Sequence, residues 1–308
     1  MVPFDLTRPP FDRCVRYLTH AAAAEEDGAE VQTLLRRSLG ISSGWIKHVK
    51  RLPDGIALDG RRVTTRDRVR AGQTLRLRLS DSVRRSGIES APGPLHIVYE
   101  DEDLLVLNKP AGVPVHPSPQ QNSNTIGNLL LYYYDLWGIP ADFHPVHRLD
   151  RGTSGLMIAA KHPCAQERLR RAFHTDAFRR EYLAVCDAVP APRRGVVDLP
   201  LSRAPDSILR REVSAAGSPA RTEYEVLAEG SGRCLVRLHL LTGRTHQIRV
   251  HMAALGCPLT GDFLYGRENP ALIRRPALHS CFLAFSQPFT GVPLSFALPL
   301  PADMAALL

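Results

Sequence analysis

A stretch rich in reactive side chains, HPVHRLDRGTSGL, occupies residues 144–156, with apolar runs on either side. Its single acid, Asp150, stands between Arg148 and Arg151. An aspartate is ionised at neutral pH without help, so the arginines are not needed to deprotonate it. They would instead orient the carboxylate or neutralise a phosphate beside it. The pattern predicts either a structural turn or an active-site loop whose acid is a nucleophile, and composition alone leaves both open.

The rest of this stretch predicts a tight, polar turn. Gly152 and Gly155 allow the backbone to bend sharply, and the hydroxyls of Thr153 and Ser154 can hydrogen-bond within the bend. An apolar strand, LMIAAK, follows directly. We therefore expect Asp150 to lie on a rigid loop at the end of a strand, where reactive groups are often placed.

The second candidate stretch is LLTGRTHQIRVHMAALGCPLTGDFLYG, residues 240–266. It predicts a strand, then a helix over 244–256 that ends at Gly256 and is capped by Thr242 or Thr245. A buried stripe of apolar residues would leave the polar ones on other faces; the stripe is Ile248, Met252 and Leu255, and the polar set is Arg244, Gln247, Arg249 and His251. An arginine in the first turns does not favour its own helix, so we expect it to meet an acid from elsewhere. The alternative is a basic surface helix.

Other signals are weaker. Lys109 begins KPAG, whose proline and glycine are ordinary turn formers, and Tyr182 lies in a predicted strand, where a tyrosine is usually a core residue. The histidine pairs fit no metal-ligand spacing and have no completing acid; these are His144 with His147 and His246 with His251. No glycine-rich nucleotide-binding motif occurs. We therefore expect neither a metal nor a cofactor.

Length and composition are those of a globular protein of about two domains: 308 residues, 44% hydrophobic and 23% charged. A formal net charge of +8 favours a polyanionic partner such as nucleic acid. The six cysteines are widely spaced, as in a reducing compartment. The sequence shows no signal-peptide core and no apolar run long enough to span a membrane, so we expect a cytoplasmic protein, and a monomer by default.

Three regions are predicted along the chain. Residues 1–30 form an N-terminal segment without a clear pattern, and 31–85 form a small unit of two short helices followed by strands. Ser42 or Ser43 would cap its second helix, which carries Lys47 and Lys50. A Ser-, Gly- and Pro-containing linker then leads to one α+β domain over 89–308.

Three motifs together resemble the RluA family of pseudouridine synthases: HRLDRGTSGL, TGRTHQIRVHM with GCPLTGDFLYG, and NKPAG followed by VHP. The resemblance covers roughly residues 95–300 and implies an α+β catalytic domain with a mixed, largely antiparallel sheet and an RNA cleft across it. The small unit, through ISSGWIKHVK and GIALDGRRV, resembles an S4-type RNA-binding domain, an α/β module.

The resemblance also implies an activity. The family isomerises uridine in RNA to pseudouridine without cofactor or metal, and Asp150 would be its aspartate, acting at C1′, at C6 or through a glycal. Arg249 would pair with Asp150, Tyr182 would lie near the base, and Arg148 would fill the space left by the extruded uridine. Further RNA- or substrate-binding residues implied here are Lys109, His147, Thr153, Arg244, His246, Gln247, Lys47 and Lys50.

The substrate and two rival activities stay open. Structured ribosomal RNA is favoured over transfer RNA only by the S4-like unit. A catalytically silent RNA-binding protein would use the same cleft, and an N-glycosylase would use an aspartate and an extruded base but let water complete the reaction.

Overall fold

The computed structural model describes residues 15–118, 122–173, 175 and 177–308. A small sheet with short helices lies at the N-terminal end of these residues, and a ten-stranded sheet with flanking helices makes up the remainder. The α+β class predicted from the sequence is confirmed, including the largely antiparallel pairing. Among the described helices, none is long and apolar enough to cross a membrane.

The small unit contains a four-stranded antiparallel sheet with strand order β1-β4-β2-β3. Its elements are β1 (Tyr17–Ala21), α1 (Val31–Thr33), α2 (Ser43–Val49), β2 (Ile56–Leu58), β3 (Arg61–Arg62) and β4 (Thr74–Arg78). A 3-10 turn at Ala24–Glu26 precedes α1, and a π-helical turn at Leu34–Ser38 continues it. Because β1 pairs with β4 along its whole length, this unit begins before residue 31, the boundary expected from the sequence.

Local sequence explains the helices of the small unit. Gly40 adopts a left-handed φ of 64° after the first helix, and the hydroxyl of Ser42 accepts the Trp45 backbone N–H at 3.3 Å to cap α2. The buried faces of both helices and the sheet share one apolar core, which includes Leu34, Leu35, Trp45, Ile46, Leu75 and Leu77. Ser42, rather than Ser43, is thus the cap of α2.

The large sheet has the strand order β10-β13-β14-β9-β15-β8-β6-β5, with β16 paired to β15 and β7 to β8. The strands are β5 (Ile97–Glu100), β6 (Leu104–Lys109), β7 (His144–Pro145), β8 (Ser154–Ala160), β9 (Arg179–Cys186), β10 (Arg194–Asp198), β13 (Arg221–Gly230), β14 (Arg233–Leu240), β15 (Leu278–Ser286) and β16 (Pro293–Ala297). A separate hairpin is formed by β11 (Leu201–Arg203) and β12 (Arg211–Val213). Within the described residues every pair is antiparallel except β8 with β15.

Helices cover both faces of this sheet. They are α3 (Ile126–Trp137), α4 (Pro163–Ala172), α5 (Gln247–Ala254) and α6 (Ala302–Ala305). Buried side chains of α3 and α5, such as Leu130 and Ile248, pack on one face of the sheet, whereas Leu169 of α4 packs on the other face. Side chains alternate between the two faces of the sheet along β8. Because β8 is buried on both faces, its sequence is a continuous apolar run.

The small unit packs against the large sheet domain. Arg16, just before β1, bonds the buried carboxylate of Asp103 at 3.0 Å, and Arg168 of α4 donates to the Leu39 carbonyl at 2.6 Å. The predicted linker is also held in place, because Asp142 accepts the backbone N–H groups of Arg85 and Ser86 at 2.7 and 2.8 Å. The two units therefore share an ordered interface.

Candidate active site

Asp150 lies on the loop between β7 and β8, as expected from the sequence. Its carbonyl accepts the Thr153 N–H at 3.1 Å, which closes the turn. Gly155 has φ +108°, and a Cβ there would lie 2.2 Å from the Ser280 carbonyl oxygen of β15. Only glycine fits this backbone conformation and this approach, so the loop is fixed against the sheet.

The Asp150 carboxylate faces a cleft of about 310 Å³, within the size range of small-molecule sites. Among the described residues that line the cleft, Asp150 is the only acid, and five are arginines: Arg148, Arg170, Arg180, Arg244 and Arg249. This excess of positive charge around one carboxylate favours a polyanion. It also leaves Asp150 as the one anionic group that could act on such a ligand.

Arg249 of α5 reaches Asp150, but it is held mainly by another acid. Its Nη1 lies 3.8 Å from Asp150 Oδ2, whereas its Nε and Nη2 donate to the two oxygens of Asp262, both at 2.7 Å. Asp262 also accepts the backbone N–H groups of Leu264 and Tyr265. Burial lowers the pKa of Arg249, but the hydrogen bonds and charge of Asp262 and the charge of Asp150 outweigh it and the net shift is upward. Arg249 is therefore a fixed cation that faces Asp150 without a tight ion pair to it.

His246 also faces Asp150. Its Nε2 lies 3.9 Å from Asp150 Oδ2, and its Nδ1 shares a 2.9 Å hydrogen bond with the Tyr265 hydroxyl. That hydroxyl accepts the Arg211 N–H at 2.8 Å, so the simplest arrangement has it donate to Nδ1 and leaves the imidazole proton on Nε2. Burial lowers the pKa of His246 despite the nearby charge of Asp150, which keeps the ring neutral. The His246 backbone is left-handed, with φ 59°, a strained conformation often found at functional sites.

Tyr182 and Arg180 line the cleft from β9. Burial raises the pKa of Tyr182, with a smaller opposing effect from Arg180, so the phenol stays protonated at neutral pH. Arg180 is 3% exposed, and its guanidinium carbon lies 3.7 Å from the Phe173 ring centroid. A protonated, buried Tyr182 can donate a hydrogen bond or pack against a ligand, but it is a poor proton acceptor.

Lys109 does not line the cleft and lies behind the Asp150 loop. Its Nζ donates to the carbonyls of Pro110, Val113 and Arg151 at 2.8, 2.9 and 3.2 Å. Burial lowers its pKa to about 7, against the opposing charge of Asp150. Three acceptors require three N–H donors, which only the ammonium form supplies, so this set of hydrogen bonds is complete only while the lysine is charged. Lys109 thus ties KPAG to the residue after Asp150.

The cleft gathers most of the residues predicted from the sequence. Nine line it: Asp150, Tyr182, Arg249, Arg148, His147, Thr153, Arg244, His246 and Gln247. The side chains of Lys47 on α2 and of Lys50, directly after α2, are exposed and lie outside the cleft lining. His147 accepts the Ile158 N–H at 3.2 Å, and burial lowers its pKa to about 3, so it braces the loop as a neutral ring.

Gln247 differs from the expectation of a substrate contact. Its amide oxygen accepts from Thr242 and from the Arg244 backbone N–H, and its amide nitrogen donates to Arg221 and Thr222. These four bonds use the whole hydrogen-bonding capacity of the amide within the protein. Its geometry is that of a brace between α5 and β13.

Three details predicted for α5 are wrong. The helix spans Gln247–Ala254 rather than 244–256, and neither threonine caps it, because His246 is the N-cap and makes no side-chain cap bond. Leu255 is 36% exposed, although it was expected in the buried stripe. The polar face is instead buried, with Gln247, Arg249 and His251 at most 4% exposed, because β12, β13 and the Asp262 loop cover it.

Sequence reasoning missed Asp262 and Tyr265, which orient Arg249 and His246. Both lie in GDFLYG, and the acid directly after a turn glycine was the available signal. The histidines of the two weak pairs have separate partners: His144 bonds Asp81, and His251 bonds Thr222 and the Leu199 carbonyl. Within the described ranges no group of three or more His, Cys, Asp or Glu side chains could hold a metal ion.

Comparisons with known proteins agree on one family. A protein-family model described as RNA pseudouridylate synthase matches residues 103–254. A Bacillus subtilis protein named "Uncharacterized RNA pseudouridine synthase YjbO" is 40% identical over 270 residues, 88% of this chain and 95% of that protein. A Nitrosomonas europaea protein named "Ribosomal large subunit pseudouridine synthase D" is 36% identical over 290 residues, 92% and 83% of the two chains. The solved structure of human RNA Pseudouridylate Synthase Domain Containing 1 is 28% identical and has a TM-score of 0.57 over 70% of this chain and 90% of that one.

Proposed function

Because the chain belongs to the RluA family and is an RNA pseudouridine synthase, an isomerase, we propose that it converts specific uridines of structured RNA with Asp150 as the nucleophile. The observation that carries this proposal is the placement of Asp150: the only acid among the described cleft-lining residues, facing five arginines on a loop fixed by Gly155. An anionic nucleophile in a cationic cleft can approach RNA without losing its own charge.

The reaction balances without an external reactant. The C1′–N1 bond breaks and a C1′–C5 bond forms, while the C5 proton leaves and N1 gains one. The carboxylate of Asp150 is regenerated, whether it attacks C1′, attacks C6 or assists formation of a glycal. All three routes require the same feature, a carboxylate held ready beside the ribose and the base.

The surrounding residues have separate proposed roles. Arg249 and the Nε2–H of His246 orient the Asp150 carboxylate from 3.8 and 3.9 Å, too long to neutralise it in a tight pair. Tyr182, with its raised pKa, packs against the base and donates a hydrogen bond rather than removing a proton. Arg148 is exposed at the cleft edge, where a planar guanidinium can replace the extruded uridine in the stack.

We further propose ribosomal RNA as the substrate class and an RNA-binding role for the small unit. The name of the Nitrosomonas europaea relative refers to the large ribosomal subunit, which supports ribosomal over transfer RNA. The small unit exposes Lys47 on α2 and Lys50 directly after it, and it is docked on the catalytic domain through Arg16 and Asp103. A basic unit fixed on the catalytic domain would add phosphate contacts to those made by the cleft.

The test is to incubate the wild-type protein with ribosomal and transfer RNA from cells that lack it, and to map the modified sites. Pseudouridine in the nucleoside digest supports the proposal, and its position names the substrate. Free uracil would identify an N-glycosylase instead. RNA binding with neither product would contradict the proposed activity.

A further inference from the structure

The tip of the β11–β12 hairpin, residues 204–210, presents two adjacent aliphatic side chains to solvent. Ile208 is 76% exposed and Leu209 is 59% exposed. Single exposed apolar residues are common on protein surfaces, but a neighbouring pair at the end of a projecting hairpin is a candidate contact site. No residue of this tip belongs to the cleft lining, so the active site described above does not account for it.

The tip is ordered by its own hydrogen bonds. Ser207 Oγ accepts the N–H groups of Leu209 and Arg210 at 3.2 and 3.0 Å, and the Ala204 N–H donates to the Arg210 carbonyl at 3.1 Å. The Arg210 guanidinium also bonds both carboxylate oxygens of Asp206. The two aliphatic side chains are therefore held outward before any partner arrives, which reduces the entropy lost on binding.

A short chain of contacts joins the tip to the active site. Arg211, the residue after the tip, donates its N–H to the Tyr265 hydroxyl at 2.8 Å. That hydroxyl bonds His246, whose Nε2 lies 3.9 Å from Asp150. The base of the hairpin packs on α5 through Leu201 and Val250. The base of the hairpin is thus joined to the cleft through Tyr265 and His246.

The charges around the tip indicate the kind of partner. Arg203 and Arg211 flank it on the two strands, and the cleft to which the base of the hairpin is joined is lined by five arginines. An apolar tip between cations matches RNA, in which stacked bases alternate with phosphates. A partner protein with a purely apolar groove would provide no anionic groups for these arginines to pair with.

We propose that the hairpin tip inserts Ile208 and Leu209 into the base stack beside the target uridine and so supports its extrusion into the cleft. This inference rests on the proposed function. Aliphatic side chains act as wedges between bases in other nucleic-acid complexes, where they unstack a step and hold it open. Extrusion costs most from a stacked or paired site and least from an unpaired strand. The tip therefore makes the enzyme efficient on structured RNA in particular.

The test compares two RNAs that contain the uridine modified by the wild type: a stem–loop and a short oligonucleotide without pairing. We expect the double variant Ile208→Ser/Leu209→Ser to raise the KM for the stem–loop by roughly tenfold, the effect of losing a buried aliphatic contact. The KM for the unpaired oligonucleotide should change less than about twofold. Leu136→Ser is the matched control, since Leu136 is 60% exposed on α3 and lies outside the cleft lining.

A second measurement reports the unstacking directly. A 2-aminopurine placed next to the target uridine should brighten when Asp150→Asn protein binds the stem–loop, and brighten less with the hairpin-tip variant in that background. An unchanged KM and unchanged fluorescence would overturn the wedge while leaving the synthase activity intact. Equal losses on both RNAs would also overturn it, because a wedge acts only where bases are stacked. If the wild type makes no pseudouridine in any RNA, the proposed function itself is wrong.

Discussion

Arg249 forms a bidentate ion pair with Asp262, both bonds 2.7 Å, and from that position its third nitrogen lies 3.8 Å from Asp150. The two acids share one cation unequally. Asp262 takes the close hydrogen bonds and fixes the guanidinium, so Asp150 is oriented by the positive charge but stays available to react. The family resemblance in the sequence pairs Arg249 with Asp150 alone.

We predict that Asp262→Asn lowers the free energy of unfolding by about 3 kcal/mol, because it leaves the buried guanidinium of Arg249 without its charged partner. The value of kcat should fall as well, since the released Arg249 can close onto Asp150. Urea unfolding and single-turnover kinetics measure the two effects.

A matched control for this change is Asp303→Asn. Asp303 also pairs with an arginine through two bonds, at 2.7 and 2.9 Å, but its side chain is 48% exposed. Loss of an exposed pair should cost less than about 1 kcal/mol. Equal destabilisation by the two variants would contradict the importance assigned to burial of the Arg249–Asp262 pair.

Asp150→Asn should lower kcat by roughly a thousandfold or more, as expected when a nucleophile is removed, while RNA affinity changes little. The amide keeps the size of the side chain, and the Thr153 N–H can still donate to the backbone carbonyl of residue 150. Nucleoside analysis after single-turnover incubation, together with RNA binding by filter retention, separates the two quantities. Near-normal turnover would exclude Asp150 as the nucleophile.

Lys109 should give the activity a dependence on pH. The ammonium form, which donates to three carbonyls around the Asp150 loop, predominates below its pKa of about 7 and is lost above it. We therefore expect kcat to decline as the pH rises through 7 and 8. Lys109→Met should lower kcat by about a hundredfold, because a misplaced catalytic loop costs this much, and should remove the alkaline decline. If Lys109→Met keeps the same decline of kcat at alkaline pH, the decline arises from another titrating group.

His147 should make the protein less stable in acid. Burial lowers its pKa from 6.5 to about 3, so the unfolded chain binds a proton that the folded protein does not over this range. Stability from this group is complete above pH 6.5 and is lost as the pH falls toward 3. His147→Gln should reduce the slope of unfolding free energy against pH between these limits. His96→Gln, at an exposed site, is the control and should leave the slope unchanged.

The small unit should contribute to the salt dependence of RNA binding. Lys47→Ala/Lys50→Ala should reduce the slope of log affinity against log salt by about 2, if both lysines contact phosphates. Arg193→Ala/Arg194→Ala is the control pair, because these arginines are already paired with Glu229 and Glu225. The slope is measured by RNA titration at several salt concentrations. An unchanged slope in the lysine variant would contradict an RNA-binding role for Lys47 and Lys50.

Local sequence was sufficient for much of the fold. The apolar run LMIAAK predicted β8, and the alternation of leucine with polar residues in TLRLRL accounts for β4. Gly138 ends α3 with a left-handed φ of 63°, the conformation that glycine favours at the end of a helix. These features depend on residue propensity and periodicity, which act within one element. Sequence patterns were not sufficient where a partner came from elsewhere in the chain: residues 17–21 lie in a segment without a clear pattern, yet they form β1 because β4 offers them an edge.

The candidate site divides in the same way. The sequence by itself determined the reactive residues and their loop, because Asp150, Gly155 and Arg249 lie in motifs whose residue types restrict both the turn and the chemistry. Only the tertiary structure decided how the charges are shared. Asp262 bonds the guanidinium of Arg249, and His246 faces the carboxylate of Asp150. Both contacts arise because α5 packs against the sheet and the chain after α5 folds back toward that helix. Pairing across elements depends on distances that no single stretch of sequence contains, and here those distances leave Asp150 close to two groups and tightly bound to neither.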